Sequence, residues 1–275
     1  MSLKDLEEIG KVDNRSFYNI SLNLVKSCLN EKTLGMTQVQ VLPNKPALIT
    51  HARDLIVDHI NTTLNQQAQF TIALAGGSTP KPLYEALAQK SLPLEKIHIF
   101  WGDERYVPGD HPDSNQLMAR QAWLDQVNFP AANIHPMPTG SNDPSVDAQT
   151  HNQELEDFFG VTAGEFPTFD IILLGMGDDG HTASLFPQTE ALKVSDRLVT
   201  VGNKDGQPRL TFTYPLINNA GCVIFLVAGE NKRPALAEIF SPNGDETLYP
   251  AKAVKPQGEL LWLLDEAAGA QLTSN

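Results

Sequence analysis

Residues 175–180, GMGDDG, follow the apolar run FDIILL and lead directly into His181 of HTASLFP. Imidazole titrates near neutrality, and a neighbouring carboxylate can fix its tautomer and stabilise its protonated form. A histidine just after Asp178 and Asp179 therefore suits general base chemistry. The same six residues satisfy G-x-G-x-x-G letter for letter, with Asp196, 16 residues past Gly180, as the ribose acid of a dinucleotide site. A pyrophosphate would then rest against two carboxylates, which weighs against that reading. The bland alternative is a surface histidine at a helix start. Placement directly after a glycine turn and an apolar strand favours function.

Three further stretches carry candidate chemistry. AGGST at 75–79, followed by Pro80, offers Gly76 and Gly77 for close backbone approach, and Thr79 with Pro80 as a helix start, the form of an anion or oxyanion site. A turn that merely connects strand to helix is an equal reading. In WGDERYV at 101–107, Asp103, Glu104 and Arg105 crowd one strand end. Buried charges are costly unless paired, so a solvated, salt-bridged turn is the better reading of these residues alone, and contact with a polar ligand the alternative. Arg209 in RLTFTYPLI and Lys232 with Arg233 in AGENKRPAL put basic groups at what read as two strand ends. They suit a phosphate clamp, or simply neutralise nearby acids.

The elements that must position these groups alternate. VQVL precedes a helix in THARDLIVDHINTTLNQQ, with Thr50 as N-cap and Ala52, Leu55, Ile56 and Ile60 on one stripe. FTIALA precedes a helix in GGSTPKPLYEALAQ, KIHIFW precedes one around SNQLMARQAWLDQV, and FDIILL, CVIFLVAG and ELLWLL are later strands. Continuous apolar strands imply burial on both faces. The expected fold is α/β: a mostly parallel sheet sandwiched by helices, with ligands at the carboxyl ends of the strands. PMPTGSNDPSVDAQ reads as a loop. Residues 1–36 read as an N-terminal extension that need not be ordered, with FYNISLNLVKSCL its one helix candidate and Met36 an alternative start. Residues 37–275 read as a single domain.

Composition narrows the partners. A formal charge of −13 argues against nucleic acid or an acidic membrane surface, so any anionic ligand needs a local basic cluster. Two cysteines, Cys28 and Cys222, are too few for a disulfide framework and read as packing residues in a reducing compartment. With no signal peptide pattern and no run of 18 apolar residues, the expected location is cytoplasmic. The expected assembly is a monomer or small homo-oligomer.

LAGGSTPKPLYEAL, FWGDERYVPGDHPDSNQLMAR, DIILLGMGDDGHTASLFP and RLTFTYPLINNAGCVIFLVAGENK together resemble the 6-phosphogluconolactonases, in order, from about residue 38 onward. The resemblance implies hydrolysis of 6-phospho-D-glucono-1,5-lactone to 6-phospho-D-gluconate, the second step of the oxidative pentose phosphate pathway, without metal or cofactor. It implies a modified Rossmann-like fold shared with glucosamine-6-phosphate deaminases. It casts His181 as the group that takes and returns a water proton, with Asp179 orienting it. The sugar phosphate is placed against Arg209 and Lys232, and Gly76, Gly77, Ser78, Thr79, Asp103 and Arg105 along the substrate. Two alternatives remain: a deaminase, and a non-catalytic sugar-phosphate-binding protein of the same fold. In the deaminase pattern, like DGHIAFNEP, an acid stands five positions after the histidine; here that position is Phe186.

Overall fold

The computed structural model describes residues 37–272. The extension, the helix suggested within it, Met36 and Cys28 lie outside the described residues. Six strands form one wholly parallel sheet: β1 (Thr37–Leu42), β2 (Phe70–Leu74), β3 (Ile97–Trp101), β5 (Ile171–Leu174), β8 (Cys222–Val227) and β9 (Glu259–Asp265), in the spatial order β1-β9-β8-β5-β2-β3. These are the six apolar runs of the sequence. Every residue of β2, β5 and β8 is buried, as strands covered on both faces require.

Each face has its own apolar layer. On one, α1 (Lys45–Leu64), α2 (Lys81–Leu87) and α3 (Asn115–Ala122) contribute Ile56, Ile60, Leu83 and Ala119 around Ile72 and Ile224. On the other, α4 (Pro144–Phe159), α5 (Tyr214–Ile217) and α6 (Arg233–Phe240) contribute Leu155, Leu216 and Leu236 around Phe169 and Trp262. Among the described residues, no helix is long and apolar enough to cross a membrane.

Two boundaries differ from expectation. Helix α1 is capped by Asn44, whose side chain accepts from Ala47 N at 3.0 Å, and Pro46 stands in its first turn, so Thr50 lies inside the helix. The stretch read as the loop PMPTGSNDPSVDAQ ends in a helix: Asp143 accepts from Ser145 N at 2.9 Å, Pro144 follows, and α4 runs on to Gly160, whose φ of 66° closes it.

A second, antiparallel sheet was not anticipated. It contains β4 (Asp103–Arg105), β6 (Val199–Lys204) and β7 (Gln207–Phe212), in the order β4-β7-β6. The chain leaves the parallel sheet at Gly102, whose N–H donates to Leu74 O at 3.0 Å while its carbonyl accepts from Phe212 N at 2.8 Å. Asp205 and Gly206, with φ of 53° and 84°, turn the β6–β7 hairpin.

The outer edge of β3 is covered by the segment around Ile134, where His135 N donates to Ile99 O at 2.8 Å. The His135 ring stacks on Phe100 at 4.4 Å, and its Nε2 lies 3.1 Å from His98 Nδ1. Burial, with the neighbouring His98, pushes the His135 imidazole down to about 4. The unfolded chain then binds more protons than the native one between about pH 6.5 and pH 4, so this group removes stability as pH falls through that window. Melting curves should show a fall in Tm from pH 7 to pH 4.5 that is shallower in His135→Phe; equal slopes would contradict this assignment.

Candidate functional site

The carboxyl ends of β2, β3, β5, β8 and β9 open into one cleft of about 550 Å³. The strand succession runs outward from β2 to β3 on one side and from β5 through β8 to β9 on the other. The crevice therefore forms where those directions diverge.

His181 stands on its wall, in a turn that the glycines close. Gly177 N donates to His181 O at 2.9 Å, Gly180 N donates to Gly177 O at 3.1 Å, and Gly180 has φ of 78°. Asp179 Oδ1 accepts from His181 N at 3.1 Å and lies 2.6 Å from Nδ1. A carboxylate at that distance places the proton on Nδ1 and leaves Nε2 as the basic nitrogen. Burial works to raise the Asp179 carboxyl, but the hydrogen bonds and charge of His181 outweigh it and bring it to about 2. A Cβ on Gly177 would fall 2.0 Å from His181 Nδ1, so the histidine can occupy this place only beside a glycine. The other wall of the imidazole is Phe186, at 4.4 Å between ring centroids.

The loop after β2 is pinned at its start by Tyr84, whose hydroxyl donates to Ala75 O at 2.7 Å and accepts from Ala75 N at 2.9 Å. Gly76, Gly77, Ser78 and Thr79 follow along the cleft. Asn115 Oδ1 lies 1.9 Å from where a Gly76 Cβ would stand, and Gly77 has φ of 104°. Helix α2 begins one residue later than expected, with Pro80 and not Thr79 at the cap position and no side-chain cap bond. Lys45, from the first turn of α1, reaches across to donate to Ser78 O at 3.0 Å.

The charges after β3 do not form a solvated turn. Asp103 and Glu104 are buried in β4 and answer to hydrogen-bond donors instead of cations. Glu104 accepts from Asn115 N at 2.7 Å, Gln116 N at 2.8 Å and Ser114 Oγ at 3.1 Å, which makes it the anion at the amino terminus of α3. Burial raises its carboxyl despite those bonds. Asp103 accepts from Ser184 Oγ at 2.6 Å. Arg105 donates to the Asp113 carbonyl.

Arg209 is the register partner of Arg105 within β7, so it sits inside an antiparallel strand and not at a strand end. It nonetheless lines the cleft, with its guanidinium 5.6 Å from the Phe186 ring centroid. Lys232, in the turn after β8, is held 2.5 Å from Asp178 Oδ1, which also accepts from Asn231 Nδ2 at 2.9 Å. Those bonds, the lysine's first, hold the Asp178 carboxyl below its usual range.

Of the residues singled out from the sequence, Gly76, Gly77, Ser78, Thr79, Asp103, Arg105, His181, Arg209 and Lys232 line the cleft; Asp178 and Asp179 touch it through Lys232 and His181, whereas Glu104 is bonded to the start of α3 and Arg233 donates to the Ala267 carbonyl. Lys45, Asn115 and Asn231 also line it and were missed. Ser114 as a helix cap could have flagged Asn115; nothing local marks Lys45.

A family model described as glucosamine-6-phosphate isomerases/6-phosphogluconolactonase matches residues 43–262. A 6-phosphogluconolactonase of Nostoc sp. is 64% identical over 86% of this chain and 98% of its own length. One of Synechocystis sp. is 65% identical over the same shares. Among solved structures, the 6-phosphogluconolactonase from Trypanosoma cruzi superposes with a TM-score of 0.78 at 31% identity, covering 86% of this chain and 96% of that one. A monomeric glucosamine-6-phosphate deaminase, 21% identical with a TM-score of 0.71 over 84% of this chain and 98% of its own, shares the fold.

Gly177→Ala should swing the His181 ring away from Asp179 at small cost to stability, because the ring is at the surface of the cleft. Loss of a positioned base is worth roughly 100- to 10,000-fold in rate. A folded Gly177→Ala protein with parental turnover would show that this geometry is dispensable.

Proposed function

The chain belongs to the glucosamine-6-phosphate isomerase/6-phosphogluconolactonase family, and we propose that its hydrolysis of 6-phospho-D-glucono-1,5-lactone is carried by His181 as general base, oriented by Asp179. The observation that supports this most is the 2.6 Å bond between Asp179 Oδ1 and His181 Nδ1, which leaves Nε2 basic on the wall of the cleft.

A lactone is a cyclic ester, so the reaction needs an activated water and a proton for the departing ring oxygen. Nε2 takes one proton from water as the hydroxide adds to C1. The tetrahedral adduct then collapses, the bond from C1 to the ring oxygen breaks, and the proton returns from Nε2 to that oxygen. The carboxylic acid so formed ionises to 6-phospho-D-gluconate, releasing one proton to solvent. Asp179 compensates the transient imidazolium and stays ionised throughout.

Arg209 and Lys232 hold the phosphate in this reading, with the Gly76–Thr79 loop, Asp103 and Arg105 along the sugar. Arg209 has no carboxylate within ion-pair distance among the described residues, whereas Lys232 shares its charge with Asp178. Lys45 adds a cation beside Ser78. Arg105 Nε and Asn115 Oδ1 are buried without partners among the described residues, and a polyhydroxylated substrate would satisfy both. The chemistry belongs to residues 37–275, with 1–36 outside it, and every group named comes from one chain, so a monomer or a small homo-oligomer can perform it. A sugar phosphate does not cross membranes unaided, which supports a cytoplasmic setting for the pentose phosphate pathway step.

The direct test generates the lactone in situ and follows acid release. The parent should accelerate opening, and folded His181→Ala should lose about 100- to 10,000-fold of the catalysed rate. With glucosamine 6-phosphate the parent should release no ammonia above background, because Phe186 cannot relay a proton. Sustained ammonia release without effect on the lactone would overturn the reading in favour of the deaminase.

Binding separates from chemistry in the cations. Arg209→Met should raise KM for the phosphorylated lactone about 10- to 100-fold, the worth of one charged hydrogen bond. Lys232→Met and Lys45→Met should do so less, with kcat little changed. Unaltered preference for phosphorylated over unphosphorylated lactone in the Arg209→Met/Lys232→Met double variant would remove both from the phosphate site.

A further inference from the structure

At the opposite edge of the parallel sheet, away from the cleft, three metal-ligating side chains converge. Cys222 opens β8, Glu259 opens β9, and the two are register partners on adjacent parallel strands. His59 reaches them from α1. One donor atom from each residue lies within 4.8 Å of the other two, and His59 Nε2 is 3.9 Å from Glu259 Oε2. His59 Nδ1 is 3.0 Å from Leu55 O, a contact that places the ring proton on Nδ1 and presents the Nε2 lone pair to the other two groups.

A weak ion pair would explain His59 and Glu259, and Cys222 packs in the apolar layer, but neither accounts for the convergence of all three donor atoms at one point. Burial, with the charge of Glu259 adding to it, pushes the Cys222 thiol up, and the side chain is almost wholly sealed from solvent. Thiolate, imidazole and carboxylate together are the donor set of a tetrahedral zinc-type centre. In such a centre neighbouring donor atoms stand roughly 3.3–3.7 Å apart. The present spacing needs only a modest inward movement, and the half-exposed Glu259 side chain is free to make it.

We propose that His59 Nε2, Cys222 Sγ and a Glu259 carboxylate oxygen bind a borderline-soft divalent cation of the zinc class, with water as the fourth ligand. Binding breaks the Cys222 S–H bond, forms a metal–thiolate bond and releases one proton to solvent; no electron moves. Such a cation joins α1 to the first residues of β8 and β9. It would fasten the far end of the two strands whose other ends lead to Lys232 and Asp265, and it touches neither His181 nor the substrate.

Cobalt(II) is the probe, because its bond to a thiolate gives a near-ultraviolet charge-transfer band. The full chain carrying Cys28→Ser, which removes its other cysteine, is titrated with cobalt(II) and then with zinc(II) in competition. The expected result is a saturable band at one ion per chain, displaced by zinc, lost in Cys222→Ser and at least tenfold weaker in affinity in His59→Gln. Zinc should raise Tm in the parent, not in Cys222→Ser, and by less in His59→Gln, since a cation held only by the folded chain stabilises it in proportion to its affinity. Lactone hydrolysis should be unaffected by His59→Gln, so the result stands or falls separately from the catalytic reading. Absence of the band in the folded protein, or an unchanged band and Tm shift in His59→Gln, would overturn the site. The His59→Gln outcome decides even if Cys222→Ser does not fold.

Discussion

All six strands of the main sheet run the same way, and everything else about the molecule follows from that alignment. Parallel strands cannot be joined by tight hairpins, so each must be followed by a crossover, and each crossover begins at the same edge. The glycine loop after β2, Gly102 after β3, the His181 turn after β5, Lys232 after β8 and Asp265 at the end of β9 are therefore neighbours in space, though they span nearly 200 residues of chain. Asp265 shows how tightly that edge is bound together: its carboxylate accepts from Gly229 N at 3.0 Å and from Ala268 N at 2.8 Å, joining the ends of two strands. The small antiparallel sheet is spliced in at Gly102, and it brings Asp103, Arg105 and Arg209 to the same edge from a different direction.

Electrostatically the cleft inverts the character of the chain. The protein carries a formal −13, yet each carboxylate at the site is already committed. Asp103 holds Ser184, Asp178 holds Lys232 and Asn231, and Asp179 holds His181. Adjacent acids would repel if both faced one ligand. Instead they diverge, and each is stabilised as an anion by its own partner. Without a carboxylate partner along the cleft, among the described residues, are an imidazole nitrogen, backbone of the glycine loop, and the cations Lys45, Arg105 and Arg209. The G-x-G-x-x-G letters thus shape the turn that presents His181: Gly177 makes room for its ring and Gly180 supplies a left-handed backbone position.

The parts legible in the sequence were those fixed locally. Six strands buried on both faces read as apolar runs, and Asp179 and His181 are two residues apart, so their pairing needs no tertiary knowledge. The antiparallel sheet was invisible because its strands are short, charged at one end and partly exposed; QPRLTF buries only its last three residues. Asp205-Gly206 between two short alternating runs was the available signal for the hairpin. Glu104 misled for a related reason. Three of its four donors are the backbone amides of Arg105, Asn115 and Gln116, and main-chain donors leave no letter in a sequence, so a buried anion looked like half of a surface ion pair. Lys45 was missed because its reach to Ser78 depends on β1 and β2 lying at a particular separation across the sheet.

Phe186 shows how one side chain fits this frame to ester chemistry. Its ring lies 4.4 Å from the imidazole centroid and 5.6 Å from the Arg209 guanidinium, beside both the proposed base and the proposed phosphate ligand. In the proposed reaction the imidazole becomes a cation during turnover, and two cations then share that neighbourhood. An aromatic face attracts each of them without accepting a proton from either, so it moderates their repulsion while leaving the transfer to water and the ring oxygen. A carboxylate in the same place would pair with Arg209 and with the imidazolium. That would withdraw charge from the phosphate and favour the protonated histidine, which suits a reaction needing a second acid or base more than one needing a single base. Ester opening asks for one proton to be taken and returned. In the proposed reaction His181 does both, and Phe186, with no titratable group, adds no second proton carrier beside it.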